Sequence, residues 1–345
     1  MMERNSLNTV RLLAAFEVLY GHAVAHLEIT SIPSWLDSII RFFSGVPIFF
    51  TMSGFLIWMS IARSTTLGQY CKKRFWRIFP ELWVAVAVEI VAILLLYDHA
   101  IEWGKLSLFA VTQSTIFQFW TPDFLREYGC GCPNGSLWTI CVLIQFYVIA
   151  FYVYKWLRGK KIRIWILALV FSIGISAMTP VIQSCVPEII SKLYGQTFIP
   201  YFWMFIFGAM VSEFGKEKWL PVIKKYWWAA FLVTVLIIVS GFDLRLGHYG
   251  LFRTMALFVC LLGFAYAVPQ VNIKTDISYA VYIYHMTVVN AMIALGYLQK
   301  PIYLLLVTIL TFGISYISTK LVGNWSQKMK KMISSPNSQL INAKV

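Results

Sequence analysis

Long apolar runs alternate with short polar stretches along this chain, near residues 7–27, 43–61, 82–97, 137–157, 164–183, 199–214, 227–241, 251–268, 277–298 and 302–321. A helix needs about 20 apolar residues to cross a bilayer, and most of these runs approach that length. They predict an all-α, polytopic membrane helical bundle of about ten transmembrane helices. The bundle occupies residues 1–322, followed by a basic, unstructured tail at 323–345. The stretch 104–121 fits less well, because Gln113, Ser114, Thr115 and Gln118 fall in its middle. It is expected to be an interfacial or re-entrant segment. Pro47, Pro180 and Pro200 fall near or inside runs, where neighbours or a cavity must re-satisfy the broken helix ladder.

Composition sharpens the class. The chain is 59% hydrophobic and only 13% charged, against about 25% charged in soluble domains. A net charge of +14 would suggest nucleic acid in a soluble protein. Here the basic residues collect on alternate connections (63–80, 155–163, 216–225 and the tail), while Arg41, Lys105, Arg126, Lys192, Arg245, Arg253 and Lys300 lie on the others. That bias places the basic connections and both termini in the cytoplasm, with membrane lipid and no nucleic acid as surroundings. Reading 104–121 as a span would put 158–161 and 72–74 on opposite sides, so charge also argues against it. The N-terminus is expected to carry no cleavable signal. No inverted repeat of the transporter kind is visible. The six cysteines show no metal-ligand spacing. Cys130 and Cys132 are too close for a comfortable bridge to each other; on an outer face, Cys185 could pair with either.

The first run carries Arg11, Glu17 and His22, and ionisable groups inside a span are costly and usually functional. Eleven helical residues rise about 16.5 Å and complete three turns plus roughly 20°, so Arg11 and His22 share a face, one near each boundary. Glu17 lies off that face. His22 has the chemistry of a general base, with a plain interhelical hydrogen bond as the competing reading. His26 is one turn further on, but no third ligand makes a metal pair with His22. Ser53 and Gly54 could offer a nucleophile or close helix packing. His285, beside Tyr282 and Tyr284, could orient substrate or join two helices.

Several stretches occur in a telling order: Arg11-x10-His22; Gly45-Val-Pro-Ile-Phe-Phe-Thr-Met-Ser-Gly-Phe-Leu-Ile57; Lys72-Lys-Arg-Phe-Trp-Arg-Ile-Phe-Pro80; Gly135-Ser-Leu-Trp-Thr-Ile140 with Gln145-Phe-Tyr147; and Asp276-Ile-Ser-Tyr-Ala-Val-Tyr-Ile-Tyr-His-Met286. Together they resemble the acyltransferase 3 family of integral membrane proteins, which move acyl groups, usually acetyl from acetyl-CoA, onto hydroxyls of cell-surface glycans. The resemblance covers nearly the whole chain. It implies a membrane O-acyltransferase of the bacterial inner membrane, with acetyl-CoA as donor, no metal, and a surface or lipid-linked polysaccharide as acceptor. It makes His22 the catalytic base and Arg11 its paired arginine. It puts Arg74 and Arg77, with Lys73 beside them, at the acyl-CoA end, where guanidinium forks suit phosphate. Trp138 falls in the Ser-Leu-Trp-Thr motif. His285, Tyr284 and Ser53 stand as substrate or structural positions.

One departure matters. Leu143 occupies the place where the family commonly has a Glu. Either Glu17 serves in its stead, or the chain is catalytically impaired. A transporter or flippase is the rival class, although it needs neither the Arg-x10-His spacing nor the paired-arginine loop.

Overall fold

The computed structural model describes residues 5–64, 66–215 and 219–334. The first half of these residues forms α1 (Leu7–His26), α2 (Ser34–Arg41), α3 (Gly45–Ala62), α4 (Leu67–Leu96), α5 (Trp103–Gln113), α6 (Trp138–Leu157) and α7 (Ile162–Ala177). The remainder forms α8 (Thr179–Ser184), α9 (Glu188–Gly195), α10 (Phe202–Phe214), α11 (Leu220–Ser240), α12 (Leu251–Ala267), α13 (Ser278–Ala294), α14 (Pro301–Ser318) and α15 (Asn324–Ser334). A short antiparallel hairpin pairs Arg245–Leu246 with Tyr249–Gly250.

Every apolar run falls on a helix. Length and apolarity single out fewer as membrane crossings. Among the described residues six stretches qualify: Ser34–Ala62, Leu67–Leu96, Gly135–Leu157, Ile162–Ser184, Leu220–Ser240 and Pro301–Met329. The pair Glu188–Gly195 and Ile199–Phe214, bent by 45°, makes a seventh if it is one broken span. The chain is a multi-pass membrane protein. The shortfall from ten has physical causes: α1 carries Arg11 and Glu17, and α12 and α13 have 17 residues each.

The stretch 104–121 holds the 11-residue α5, too short to cross. Its polar residues close the turn that follows: Gln113 Nε2 donates to the Trp120 carbonyl at 3.0 Å, and Gln118 Nε2 to that of Thr115 at 2.7 Å. Pro47 lies in the first turn of α3, Pro180 opens α8 and Pro200 leads into α10, so these prolines start helices instead of breaking them. Pro80 alone of those named lies inside a helix, the 30-residue α4.

The tail corrects the sequence reading. Residues 324–334, expected to be unstructured, form α15 and pack on α4, with Trp325 meeting Trp76 edge to face at 4.8 Å. Trp325, Met329 and Met332 recur at helical spacing, and that gives the segment an apolar face despite its lysines. Residues 335–345 lie outside the described residues.

The chain divides into two compact units. One comprises the residues up to Ala14, Phe43–Arg63 and Cys141–Lys274. Here α3 crosses α10 at Gly54 and Gly208. A methyl group at Gly54 would strike the Phe205 carbonyl, and one at Gly208 the Thr51 carbonyl. Close approach is therefore the role of Gly54, and it needs the small residue. Gln145 ties α6 to the break before α10, donating to the Gln196 carbonyl at 2.8 Å and accepting from the Phe198 N–H at 3.0 Å.

The second unit comprises Ala15–Phe42, Ser64–Ile140 and the residues from Thr275 onward. Its axis is α13, which packs against both α4 and α14. Ile93, Leu106, Phe109, Leu125 and Tyr128 form an apolar cluster that seats α5 and the following loop on α4.

Candidate active site

Two helices of the second unit bring together histidines 263 residues apart. His22 Nδ1 on α1 lies 2.8 Å from His285 Nε2 on α13. The rings are within 6° of parallel, with centroids 5.1 Å apart. Parallel rings with nitrogens this close and centroids this distant must be nearly coplanar and meet edge to edge. That is the geometry of a shared N–H···N bond. His285 is fully buried, and its Nδ1 lies 2.7 Å from the Tyr282 carbonyl.

The carbonyl fixes where the protons sit. A carbonyl oxygen only accepts, so His285 Nδ1 carries the hydrogen and, in the neutral ring, Nε2 carries the lone pair. His22 Nδ1 must then donate to it. That leaves Nε2 of His22 as the basic nitrogen. A carboxylate does the same work for the imidazole of a catalytic triad; here a neutral imidazole does it. His26 lies beside the pair, its ring centroid 5.8 Å from that of His22. Among the described residues no group of three or more His, Cys, Asp or Glu is arranged to hold a metal ion.

The segment 128–139 is bonded along α13 next to this pair. Tyr282 donates its hydroxyl to the Ser136 carbonyl at 3.1 Å and shares a hydrogen bond with Thr139 Oγ1 at 2.7 Å. Asn134 Nδ2 donates to the Ile283 carbonyl at 2.9 Å. Buried Asn290 accepts from the Cys130 N–H at 2.7 Å and donates to the Pro133 carbonyl at 2.7 Å. Gly129, with φ of 58°, passes so close that a side chain there would collide with Asn290. Trp138, the first residue of α6, is half-buried in the same unit. Glu17 is half-buried on α1, within electrostatic range of the Tyr282 hydroxyl.

A second cluster forms at the other end of α13. Arg77 Nη2 lies 3.1 Å from Asp276 Oδ2. Asp276 Oδ1 accepts from the Ser278 hydroxyl at 2.6 Å and from its N–H, closing a turn that leads into α13. One turn along α4 from Arg77, buried Glu81 accepts from Thr319 Oγ1 at 3.1 Å and Ser318 Oγ at 3.4 Å. Tyr284 OH donates to Ser318 Oγ at 3.0 Å. Helix α14 widens into a π turn at Thr319–Gly323, where these contacts are made. Arg74 lies over the Tyr70 ring at 5.7 Å, and Lys73 is half-buried beside it.

The structure therefore joins His22 to His285, and Tyr284 to Glu81 through Ser318. Arg11 and Ser53 belong to the other unit, as does Leu143. Sequence reasoning missed Glu81, Glu89 and Asn290. Glu89 is buried on α4 with neither carboxylate oxygen hydrogen-bonded. Both acids lie on the α4 span, one at its edge and one in its middle, and that is itself a signal. Asn290 had none. All six cysteines are free thiols, with Cys185 in the first unit and Cys130 and Cys132 in the second.

An oriented imidazole and two arginines on α4, in a helical membrane protein, suit transfer of a group onto a hydroxyl. Residues 4–320 match the acyltransferase-domain family, and the chain belongs to this acyltransferase 3 family; it is an acyltransferase. It is similar to nodulation protein 10 of Rhizobium leguminosarum bv. viciae, 29% identical over 85% of each chain. It is also similar to an O-acetyl transferase of Shigella phage Sf6, 27% identical over 93% of this chain and 96% of that one. The peptidoglycan O-acetyltransferase OatA of Listeria monocytogenes serovar 1/2a is 26% identical over 39% of this chain and 23% of its own length. No solved structure matches.

Proposed function

We propose that this protein is an O-acyltransferase that moves an acetyl or other short acyl group from acyl-CoA to a hydroxyl of a surface or lipid-linked polysaccharide. The observation that carries the reading is the His22–His285 pair. It leaves Nε2 of His22 unprotonated and held in one orientation, as a general base requires. His22 takes the hydroxyl proton as the oxygen attacks the thioester carbonyl carbon. The new C–O bond forms and the C–S bond breaks. CoA leaves as the thiolate and takes up a proton, and the base is regenerated. A positioned base contributes roughly 10²–10⁴-fold to such a step.

Arg74 and Lys73 are the groups assigned to the donor phosphates. Arg77 is already paired with Asp276, so its role is to hold α4 on the start of α13. Arg11 lies at the donor end of α1, about 16.5 Å along the axis from His22. The names of two relatives, an O-acetyl transferase and a peptidoglycan O-acetyltransferase, support acetyl as the group and a glycan as the acceptor. Basic connections on one side support ten spans with both termini cytoplasmic in a bacterial inner membrane. His285 fills the orienting role that Leu143 cannot, which favours an active enzyme over an impaired one.

Full-length protein in proteoliposomes, given [14C]acetyl-CoA and surface polysaccharide extracted from the host, should label the polysaccharide. Label that remains in acetyl-CoA at all protein concentrations would contradict the proposal.

A further inference from the structure

The second unit carries, on a different face of α4, a groove of about 640 Å3. One stripe of α4, from Pro80 to Val91 and including the exposed Trp83, forms its floor. Leu321 and Val322 of the π turn, together with Trp325 of α15, form its wall. Every lining group is apolar apart from the indole nitrogens. In a multi-pass membrane chain such a groove opens to hydrocarbon, where water does not compete for it.

Three features specify the occupant. The first is length. Eleven residues of α4 rise about 16.5 Å, while half of a hydrocarbon core of about 30 Å is about 15 Å. The groove therefore spans one leaflet's depth, the reach of one lipid acyl chain. The second is its end. Trp325 and Trp76 meet there, and paired indoles of this kind belong at the membrane–water boundary. The third is charge at that end. Exposed Lys328 is one turn beyond Trp325 on α15. Glu81, the acid next to Pro80, is turned inward to Thr319 and Ser318 and does not offset Lys328.

We propose that this groove is a binding site for an anionic glycerophospholipid, its acyl chain along α4 and its phosphate at the lysine-bearing end. The site also touches the interior. The π turn that walls the groove supplies Thr319 to Glu81, and Ser318 immediately before it bonds both Glu81 and Tyr284. A lipid seated here bears on the helix that carries His285.

The test is native mass spectrometry of full-length protein in detergent, titrated with palmitoyl-oleoyl phosphatidylglycerol or phosphatidylcholine. Wild type should retain phosphatidylglycerol with about a fivefold preference, the worth of one lysine near an anionic headgroup. Val88→Trp, which fills the groove, should remove the high-affinity adduct of either lipid. Lys328→Gln should abolish the headgroup preference but keep the adduct. Leu321→Trp fills the groove from the opposite wall and serves if Val88→Trp does not fold. Equal lipid retention by wild type and both groove-filling variants would overturn the site. Equal retention of the two lipids by wild type, or displacement of phosphatidylglycerol by equimolar polyprenyl phosphate, would overturn the anionic glycerophospholipid as occupant.

Discussion

His22 alone is an ordinary intramembrane histidine; bonded to His285 it has a defined basic nitrogen. Removing the partner should therefore disable the base without touching the donor site. His285→Ala is expected to lower kcat roughly 10²-fold, the low end for loss of a working base, with KM for acyl-CoA unchanged. His285→Gln offers a side-chain oxygen to His22 Nδ1–H and should recover part of that loss. Equal losses in both variants would point to packing alone. The thiols give a pH-dependent check on the loop that α13 holds. Burial pushes Cys130 and Cys132 up from the ordinary thiol range. Thiolate is the reactive form, so their alkylation should lag behind that of exposed Cys71 and Cys185 at pH 8. It should keep accelerating as pH rises further, and timed iodoacetamide labelling with peptide mapping reads both trends.

At the level of elements, the two arginines of the Lys72–Pro80 stretch separate. Arg77→Ala strands a mostly buried Asp276 at the head of α13. It should destabilise the protein by about 2 kcal/mol, between the worth of exposed and buried pairs. Arg74→Ala, which loses only the Tyr70 ring among the contacts described, should lower the melting temperature less than Arg77→Ala and raise KM for acyl-CoA. Differential scanning fluorimetry and donor titrations distinguish the two. Their spacing in the sequence makes them look equivalent, because the pairing of Arg77 with Asp276 spans 199 residues. The helices themselves were legible, since each apolar run became one. The exceptions follow from what a hydropathy pattern omits. The tail 324–334 looked too polar to fold, yet its few apolar residues share a face. The run at 164–183 is two helices, because Pro180 opens a new one. The His22–His285 contact joins the first and ninth runs, and no local pattern encodes that; the motifs identified both residues but not their pairing.

For the whole molecule, charge distribution and helix length weigh differently. Among the described residues six or seven helical stretches are long and apolar enough to cross a membrane, whereas the positive-inside bias asks for ten with both termini in the cytoplasm. Ionisable residues explain why α1 falls short, and a functional helix is where such residues belong. Reporter fusions decide the matter. Fusion after residue 345 should give cytoplasmic fluorescence and no alkaline phosphatase activity, whereas fusion in the loop near Cys130 should give the reverse. The central claim is that His22 is the base of an acyl transfer. Its most direct test is the O-acetyl content of surface polysaccharide in a deletion strain complemented with wild type or His22→Ala at equal membrane levels. Acetylation restored by wild type and absent with His22→Ala is the predicted result; equal acetylation with both would contradict it.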